Sequence, residues 1–387
     1  MKNRMAGLPK GFYDVAGDIA SQQFDIVGDF YKTGITYGYE IAYPSEVGLE
    51  DTYMSFGTAA HGRAYAFEDL GHNKLILSSD SLASCIRAYL SIENRTQIYR
   101  MMAKVPVFRC RHKKYRRWNH LIYTIFQEQD NVLATLSLLF VANDFLGKHY
   151  LNLTYAISLY GLFESYCAYL GCTHEQMYEA MHIYYDNEQV QQNELFDFIK
   201  HIEELGRNQE TWRDSLDLIA SVYPELLKII GQYREFFIAL EHACISFYID
   251  WEHYHAIEYS SGICFLVKDE TGAIIADGGS YDYLVHKLNP CIEHCYSFAC
   301  SLEAIPINNF GKKHEILYLI KMDCSVGFFL DVCAKLREEG YSVHELAVTH
   351  KMKKLLKKLP ENSAYVCVGR IEENSRKLHV GKEQIAI

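Results

Sequence analysis

Segments with strand character stand on both sides of a long helical region, and this order constrains the fold more than any other feature. Before the helical region, residues 65–69 and 74–77 flank Gly71, which predicts a β-hairpin. After it, residues 262–267 and 273–276 flank a turn at 269–272 and predict a second hairpin. Residues 130–250 carry apolar stripes at helical spacing. Strands separated by a long helical stretch predict a mixed α/β (α+β) core.

The first 130 residues alternate helices with extended segments. Residues 18–36 have apolar side chains at helical spacing and predict an amphipathic helix. Residues 37–44 predict a turn and a short extended segment that Pro44 ends. A helix is predicted at 80–92, and strands at 104–110 and 121–127 on either side of a basic loop.

The C-terminal residues form a separate pattern. Strands are predicted at 316–320, 341–346 and 364–368, with helices at 326–338 and 352–359 between them. This βαβαβ order predicts a small parallel sheet. Asn308, Asn309 and Gly311 mark a loop at the boundary. A chain of 387 residues is long enough for two domains, and we place them at 1–310 and 311–387.

Composition excludes several classes of function. A net charge of -11 argues against bulk attraction to nucleic acid or to an anionic membrane. The N-terminal residues contain no apolar stretch typical of a secretory signal, and the longest apolar run, at 133–142, is too short to span a bilayer. We therefore expect a cytoplasmic protein without a membrane partner. The twelve cysteines are then expected to be reduced thiols.

Three polar clusters invite a functional interpretation, and each has a plainer alternative. The basic loop at 108–117 could hold a phosphate or carboxylate, or be a solvated hairpin tip. Residues 277–282, with Gly278 and Gly279, could bring backbone close to a ligand, but a plain turn is the commoner explanation. The lysine-rich segment 351–358 could contact RNA, although a solvated helix face is favoured in an acidic chain.

A zinc site is the fourth candidate. Its possible ligands lie within ten residues of one another: Cys291, His294, Cys295 and Cys300. Structural zinc sites use paired Cys-x2-4-Cys knuckles, and no second knuckle stands nearby. Two of these cysteines fall in an apolar segment, where cysteine behaves as a small hydrophobic residue. We therefore predict neither a metal nor a cofactor.

Several segments, taken in order, resemble the histidyl-tRNA synthetase family and its regulatory paralogues, the ATP phosphoribosyltransferase regulatory subunits (HisZ). Residues 8–14 are similar to the family's Pro-x-Gly-x-x-Asp start, and 37–44 to motif 1 of class II synthetases, whose proline implies that Pro44 lies at a dimer interface. Residues 65–69, 108–109, 259–265 and 278–282 resemble further motifs of the family. The resemblance implies a class II synthetase-like antiparallel sheet core and a small anticodon-binding-like C-terminal domain.

The departures from the family decide the expected function. Ala304 stands where the resemblance places the motif 3 arginine that holds ATP phosphates, and His255 replaces the activating arginine. Arg111 replaces the motif 2 glutamate. Since loss of one such cation costs about 3 kcal/mol of transition-state stabilisation, aminoacylation is improbable. The acid of Leu77-Ser78-Ser79-Asp80 and the ending at 365–370 are closer to the regulatory paralogue.

The resemblance also implies an amino-acid site. Asp80 would meet the ligand's ammonium group and Arg109 its carboxylate, while Tyr259 and Tyr281 would line the side-chain pocket. His120 and Ser260 would also contact the ligand. The pocket nevertheless departs from the family at three positions: Leu82, Ser260 and Ser280. His120 opens the segment that matches the family's Gln-x-Gly-x-Glu, which here lacks its acid. Missing polar partners usually lower affinity at such a site by orders of magnitude.

Three hypotheses follow from the resemblance. The first is a non-catalytic regulatory subunit that assembles with the short-form catalytic subunit of ATP phosphoribosyltransferase, takes histidine as effector and forms a homodimer within a hetero-oligomer. The second is a pseudo-synthetase recruited to bind another amino acid or to scaffold a complex. The third is a divergent aminoacyl ligase, which would need another cation in place of the motif 3 arginine.

Overall fold

The computed structural model describes the chain in segments: residues 7–54, 64–93, 98–110, 116–185, 194–251, 260–289, 291–307, 316–347, 364–375, 377–380 and 383–386. Arg111, His255, Tyr259 and the predicted helix at 352–359 lie outside the described residues. The chain divides into two compact units, residues 1–307 and 308–387, and each is considered by itself. None of the described helices has both the length and the apolar character needed to cross a membrane.

The first unit contains the following described elements. Its helices are α1 (Asp18–Thr36), α2 (Glu50–Met54), α3 (Ser81–Leu90), α4 (Asn131–Leu146), α5 (Tyr160–Leu170), α6 (His174–Tyr185), α7 (Glu194–Arg207), α8 (Trp212–Val222), α9 (Leu227–His242) and α10 (Asp282–Leu288). Its strands are β1 (Glu40–Ala42), β2 (Val47–Leu49), β3 (Ala66–Glu68), β4 (Lys74–Leu77), β5 (Tyr99–Phe108), β6 (Arg117–Phe126), β7 (Thr154–Leu159), β8 (Phe247–Ile249), β9 (Ser261–Lys268), β10 (Ile274–Ser280) and β11 (Cys295–Ser301).

An eight-stranded sheet forms the centre of this unit, in the order β1-β5-β6-β11-β10-β9-β7-β8. The six inner strands run antiparallel to their neighbours, and only the outermost strands, β1 and β8, pair in parallel. A small sheet, β2-β4-β3, holds the first predicted hairpin. The mixed α/β core predicted from the sequence is confirmed.

The two faces of the large sheet belong to two apolar clusters. Along β6, Leu121, Tyr123 and Ile125 join one cluster, and Ile122 and Phe126 join the other, as the period of two in a strand requires. Helices α1, α4 and α5 contribute to the first cluster, and α3 and α10 to the second. A fully buried side chain of this size contributes about 1.5–3 kcal/mol through removal of apolar surface from water.

Local sequence signals account for most of the observed elements. Helix α1 has the predicted bounds, and both predicted hairpins are present. Gly171 ends α5 in the left-handed conformation, with φ of 70°, as glycine commonly does at the C-terminus of a helix. Thr173 and Gln176 then form a reciprocal capping box, each side chain accepting a hydrogen bond from the other's backbone N–H.

Three predictions need correction. Residues 154–159 were expected to be helical but form β7, which lies inside the sheet between β9 and β8. A strand buried on both faces shows no polar alternation, and its apolar run continues directly into α5, so periodicity does not separate the two. Strands β5 and β6 are longer than predicted, at ten residues each. Residues 277–280 belong to strand β10, so the plain turn expected there is wrong.

The second unit has a three-stranded parallel sheet in the order β13-β12-β14, with β12 (Ile316–Lys321), β13 (Ser342–Ala347) and β14 (Ala364–Val368). Helix α11 (Val326–Glu338) packs Phe328, Val332 and Leu336 against it. A short helix, α12 (Arg370–Ser375), and a hairpin of β15 (Lys377–Val380) and β16 (Glu383–Ala386) follow. The predicted parallel sheet is confirmed, whereas the final hairpin was not predicted.

Candidate functional site

Asp80 and Arg109 contact each other at the start of α3. Asp80 is the N-cap of this helix, and its Oδ1 accepts hydrogen bonds from the backbone N–H groups of Leu82, at 2.9 Å, and Ala83, at 3.2 Å. The other carboxylate oxygen, Oδ2, lies 3.2 Å from an Arg109 guanidinium nitrogen. The guanidinium also donates to the backbone carbonyl of Ser79, at 2.6 Å. The structure therefore brings together the two charges that the sequence assigned to an amino-acid ligand.

The Asp80–Arg109 pair is accessible to a ligand. About a quarter of the Arg109 side chain and somewhat more than a third of the Asp80 side chain are exposed to water, at 25% and 37%. A pair this exposed contributes little to stability, since solvent screens it. Its two opposite charges stand side by side, as do the ammonium and carboxylate groups of a free amino acid.

His120 lies on β6 near this pair, and both of its ring nitrogens are already engaged. The Trp118 Nε1–H donates to His120 Nε2 at 2.7 Å, and the Ser81 hydroxyl lies 2.9 Å from His120 Nδ1. Because the indole N–H can only donate, Nε2 must accept and Nδ1 carries the proton that Ser81 accepts. The ring of Trp118 also lies 5.8 Å from the Arg109 guanidinium carbon. His120 therefore links α3 to the sheet and positions the Trp118 ring beside Arg109.

Asp277 of β10 adds a second acid to this region. Residues 277, 299 and 122 stand side by side on adjacent strands, and Ala299 and Ile122 belong to the sheet face that α3 covers. Surrounding protein and the Asp80 carboxylate raise the pKa of Asp277 to about 6, and Arg109 opposes this effect. The residue is nevertheless exposed to water, close enough to Asp80 and Arg109 for their charges to act on its carboxyl. The sequence pointed to this segment but assigned it to a turn.

Buried serines occupy the region that should hold the ligand's side chain. Ser261 and Ser280 share a hydrogen bond of 2.9 Å between their hydroxyls, and Ser261 also accepts from the Asp282 backbone N–H. The Tyr178 hydroxyl donates to the backbone carbonyl of Ser260, at 2.6 Å. These contacts tie the start of β9 to β10 and α6.

Tyr281 packs beside the second apolar cluster, and its backbone N–H donates to the carbonyl of Cys295, at 2.7 Å. It precedes α10, whose first residue is Asp282. The ring is half-buried and lies on the side of the sheet that α3 covers, as Asp80 does. Tyr281 therefore stays a candidate for the pocket, while Tyr259, its predicted partner, lies outside the described residues.

The proposed motif 3 position forms a short 3-10 turn, Leu302–Ala304, that carries an acid. Glu303 accepts hydrogen bonds from the backbone and side-chain nitrogens of Asn119, at 2.9 Å and 2.8 Å, and from the Ser301 hydroxyl. The carbonyl of Ala304 accepts from the Tyr150 hydroxyl, at 3.2 Å. The turn is thus held by a carboxylate, and its sequence Leu-Glu-Ala supplies no cation.

The four candidate zinc ligands do not form a cluster; each has the partner or environment described below. His294 Nδ1 pairs with Asp282 at 2.8 Å, and this contact raises the pKa of His294. Cys295 and Cys300 are buried in β11, and Cys291 is exposed. Within the described segments, no group of three or more potential metal-binding side chains comes together.

The comparisons with known proteins agree with this arrangement. The sequence model of the family described as histidyl-tRNA synthetase matches residues 11–305, well over half of the chain. The chain belongs to the histidyl-tRNA synthetase family. Among curated proteins, none matches the sequence.

Solved structures show the same fold at low identity. An ATP phosphoribosyltransferase regulatory subunit/histidyl-tRNA synthetase from Bacillus halodurans C superposes with a TM-score of 0.72 at 15% identity, covering 95% of this chain and 100% of that one. Apo histidyl-tRNA synthetase from S. aureus superposes with a TM-score of 0.71 at 16% identity, covering 99% of this chain and 97% of that one. Histidyl-tRNA synthetase from Nostoc sp. PCC 7120 superposes with a TM-score of 0.72 at 13% identity, covering 98% of this chain and 96% of that one. The class II synthetase-like fold is therefore established.

Glu164 is a functional group that the sequence did not indicate. It lies in α5, and its Oε2 accepts a hydrogen bond of 3.0 Å from the backbone N–H of Gly262, next to the serine cluster. Burial raises the pKa of Glu164 to about 7, and Asp282 adds to the effect. The group is therefore expected to change charge near neutral pH.

The charge of Glu164 makes stability depend on pH. The folded state keeps a proton that the unfolded state releases, so stability falls as pH rises from about 4.5 toward 7. Glu164→Gln cannot ionise and keeps the carbonyl oxygen that Gly262 needs. We measure the free energy of unfolding of this variant and of the wild type with urea. The difference, variant minus wild type, should increase by about 2 kcal/mol between pH 5 and pH 8. The exposed Glu235→Gln is the matched control, and equal pH dependence in all three proteins would contradict this assignment.

Proposed function

We propose that the chain is a non-catalytic regulatory subunit of ATP phosphoribosyltransferase. It binds the short-form catalytic subunit, activates it, and carries histidine inhibition to it. The subunit is a homodimer within a larger hetero-oligomer. An amino acid is recognised between Asp80 and Arg109, with the aromatic part of the pocket supplied by Tyr281 and Tyr259.

The turn at Leu302–Ala304 carries the non-catalytic part of the proposal. An adenylating synthetase must hold three phosphates with cations, and each missing cation costs about 3 kcal/mol. Here the turn carries Ala304, which cannot bind phosphate, and Glu303, whose carboxylate is bound to Asn119. Asp277 is a further acid, on the sheet face that α3 covers.

The regulatory part is supported by the similar structures. One of them is described as an ATP phosphoribosyltransferase regulatory subunit/histidyl-tRNA synthetase, and the superposition covers that chain completely. The other two are synthetases, so the fold is compatible with either role. Ala304, which stands where the family resemblance places an arginine, supports the regulatory role.

The exposed apolar surface near Pro44 supports the dimer. Tyr43 keeps 83% of its surface exposed and Ile41 keeps 44%, on the segment that includes the edge strand β1. Leu49 and Phe67 add further exposed apolar area on the neighbouring small sheet. Clustered exposed apolar side chains are typical of an interface between subunits.

The test combines the purified chain with the ATP phosphoribosyltransferase catalytic subunit encoded in the same genome. We expect the catalytic rate to rise when the chain is added and histidine to inhibit only the mixture. Light scattering should show a complex, and the chain alone should show no histidine-dependent exchange of pyrophosphate into ATP. Exchange activity would overturn the non-catalytic assignment. A mixture that neither assembles nor gains activity would overturn the regulatory one.

A pseudo-synthetase that binds a different amino acid is the second candidate. Asp277 and the fully engaged His120 both change the pocket relative to what the family resemblance implies. A second acid near Asp80 favours a ligand with an additional positive charge. Calorimetric titration with lysine, arginine and histidine distinguishes the candidates, because a preference for lysine or arginine would support the second.

A further inference from the structure

A separate cavity of about 820 Å³ lies in the first unit and shares no lining residue with the Asp80–Arg109 site. It is bounded by the loop between α7 and α8, the end of α9, the edge strand β8 and Lys268 of β9. Cavities that bind small molecules usually occupy about 300–1,000 Å³. This one is therefore large enough for a ligand of nucleotide size.

Aromatic side chains form much of the wall. Two of the chain's three tryptophans, Trp212 and Trp251, line the cavity together with Phe247 and Tyr248. Trp212 is held in place by a hydrogen bond from its Nε1–H to Glu241, at 2.9 Å, and by the Arg213 guanidinium 4.2 Å from its ring. Trp251 is buried against Gly206. Aromatic side chains around a cavity give a planar ligand apolar surface to pack against.

The edge of β8 supplies backbone hydrogen-bonding groups. Tyr155 N–H donates to the Ser246 carbonyl, and Asp250 N–H donates to the Ile157 carbonyl, so residues 246, 248 and 250 face β7. Strand geometry then turns the N–H and C=O groups of Phe247 and Ile249 away from β7, and both residues line the cavity. Within the described part of the chain, no strand pairs with this side of β8.

The short free edge of β8 favours a nucleotide base over a peptide strand. Along this edge, the outward C=O of Phe247 is followed by the outward N–H of Ile249. This acceptor and donor can pair with the N6 amino group of adenine and with the ring nitrogen next to it. Two outward residues are too few for stable addition of a peptide strand, since strands usually run three to ten residues.

A cation stands at the same cavity. Arg213 and Arg207 are paired with Glu241 and Glu203. Lys268 contacts the Tyr248 hydroxyl and ring, and the ion pairs of the described residues include none for it. Its charge is thus available to a phosphate, while Asp250, also on the wall, is of the type that binds ribose hydroxyls.

We propose that this cavity binds a purine nucleotide, with the base against the outward backbone of Phe247 and Ile249 and the phosphate at Lys268. The site is independent of the proposed regulatory function and would exist in either candidate role. It also differs from the class II nucleotide site, which would lie at the sheet face near Arg109.

Tryptophan fluorescence tests the proposal directly. In a Trp118→Phe background, the two remaining tryptophans both line this cavity, so quenching of their fluorescence when a base binds reports this site. AMP, adenosine and inorganic phosphate are titrated, with free tryptophan as the control for absorbance by adenine. We expect saturable quenching by AMP, weaker binding of adenosine, and no quenching by phosphate.

Two variants locate the contacts. Ile249→Pro removes only an N–H that faces away from β7, so the sheet keeps its hydrogen bonds, and AMP affinity should fall by about tenfold. Ile249→Val keeps the N–H and should bind as before. Lys268→Gln should weaken the binding of AMP by about tenfold and leave the binding of adenosine unchanged. If thermal melting shows that Ile249→Pro does not fold, the Lys268→Gln variant alone tests the proposed site.

Arg109→Ala is the control for the other site and should leave AMP binding unchanged. Absence of quenching by AMP and adenosine would overturn the proposal. So would binding that disappears with Arg109→Ala but survives both Ile249→Pro and Lys268→Gln, because the nucleotide would then occupy the synthetase-like site.

Discussion

Replacing Gly279 with Ala is expected to cost at least about 3 kcal/mol of folding stability. Gly279 lies in β10 with φ of 146°, a conformation that side chains rarely adopt. A Cβ atom there would lie 2.6 Å from the Cα of Cys264 and 2.7 Å from the carbonyl oxygen of Ile263. Both are backbone atoms of β9, so the clash is relieved only by separating two inner strands of the sheet.

The matched control is Gly231→Ala in α9. A Cβ atom at Gly231 meets nothing within 4 Å, and its backbone is helical. Alanine favours a helix over glycine by about 1 kcal/mol, so this variant should be as stable as the wild type or more so. Urea unfolding of both variants measures the difference. A Gly279→Ala protein within about 1 kcal/mol of the wild type would show that the strands can move apart at this point.

This glycine also explains why the local sequence predicts a turn where the structure has strand β10. Glycines 278 and 279 are typical of a turn, and no local rule distinguishes a turn from a strand that another backbone approaches closely. The pairing of β10 with β9 shifts register between Gly279 and Ser280. That irregularity depends on a contact with Cys264, fifteen positions earlier, and is invisible in the local pattern.

Signals that are local in sequence were sufficient elsewhere. The bounds of α1 follow from its apolar spacing, and the capping box at Thr173 follows from side chains three residues apart. Strand β7 could not be found in this way, because its side chains are almost all buried and lack alternation. Its place in the sheet is determined by partners more than ninety residues away in β8 and β9.

The candidate site also contains residues that the sequence identifies and residues whose roles depend on distant contacts. Asp80 and Arg109 were chosen through the family resemblance, and the structure places their side chains 3.2 Å apart. Asp277 is not identified from the sequence as a charged neighbour of Asp80, because its segment has the pattern of a turn. His120 was expected to face a ligand, but its bonds to Trp118 and Ser81 connect residues on different elements, which spacing alone does not reveal.

Histidine is expected to stabilise the wild-type chain by about 2.7 kcal/mol when present at about a hundredfold excess over its dissociation constant. This prediction rests on the proposed regulatory function. Asp80→Asn should lose about tenfold to a hundredfold in histidine affinity, because the ligand's ammonium group loses a charged partner. Isothermal calorimetry measures the affinity, and thermal melting measures the stabilisation.

Asn is chosen over Ala because Asp80 also caps α3. An Asn side chain accepts the same backbone hydrogen bonds from Leu82 and Ala83, so the ligand-free variant should stay within about 0.5 kcal/mol of the wild type. Asp130→Asn is the control, since Asp130 caps α4 through the Leu133 N–H, outside the candidate site. If both variants bind histidine equally well, Asp80 is not the ammonium partner. If the wild type itself is not stabilised, the paired charges of Asp80 and Arg109 serve a different amino acid, and lysine and arginine become the next ligands to titrate.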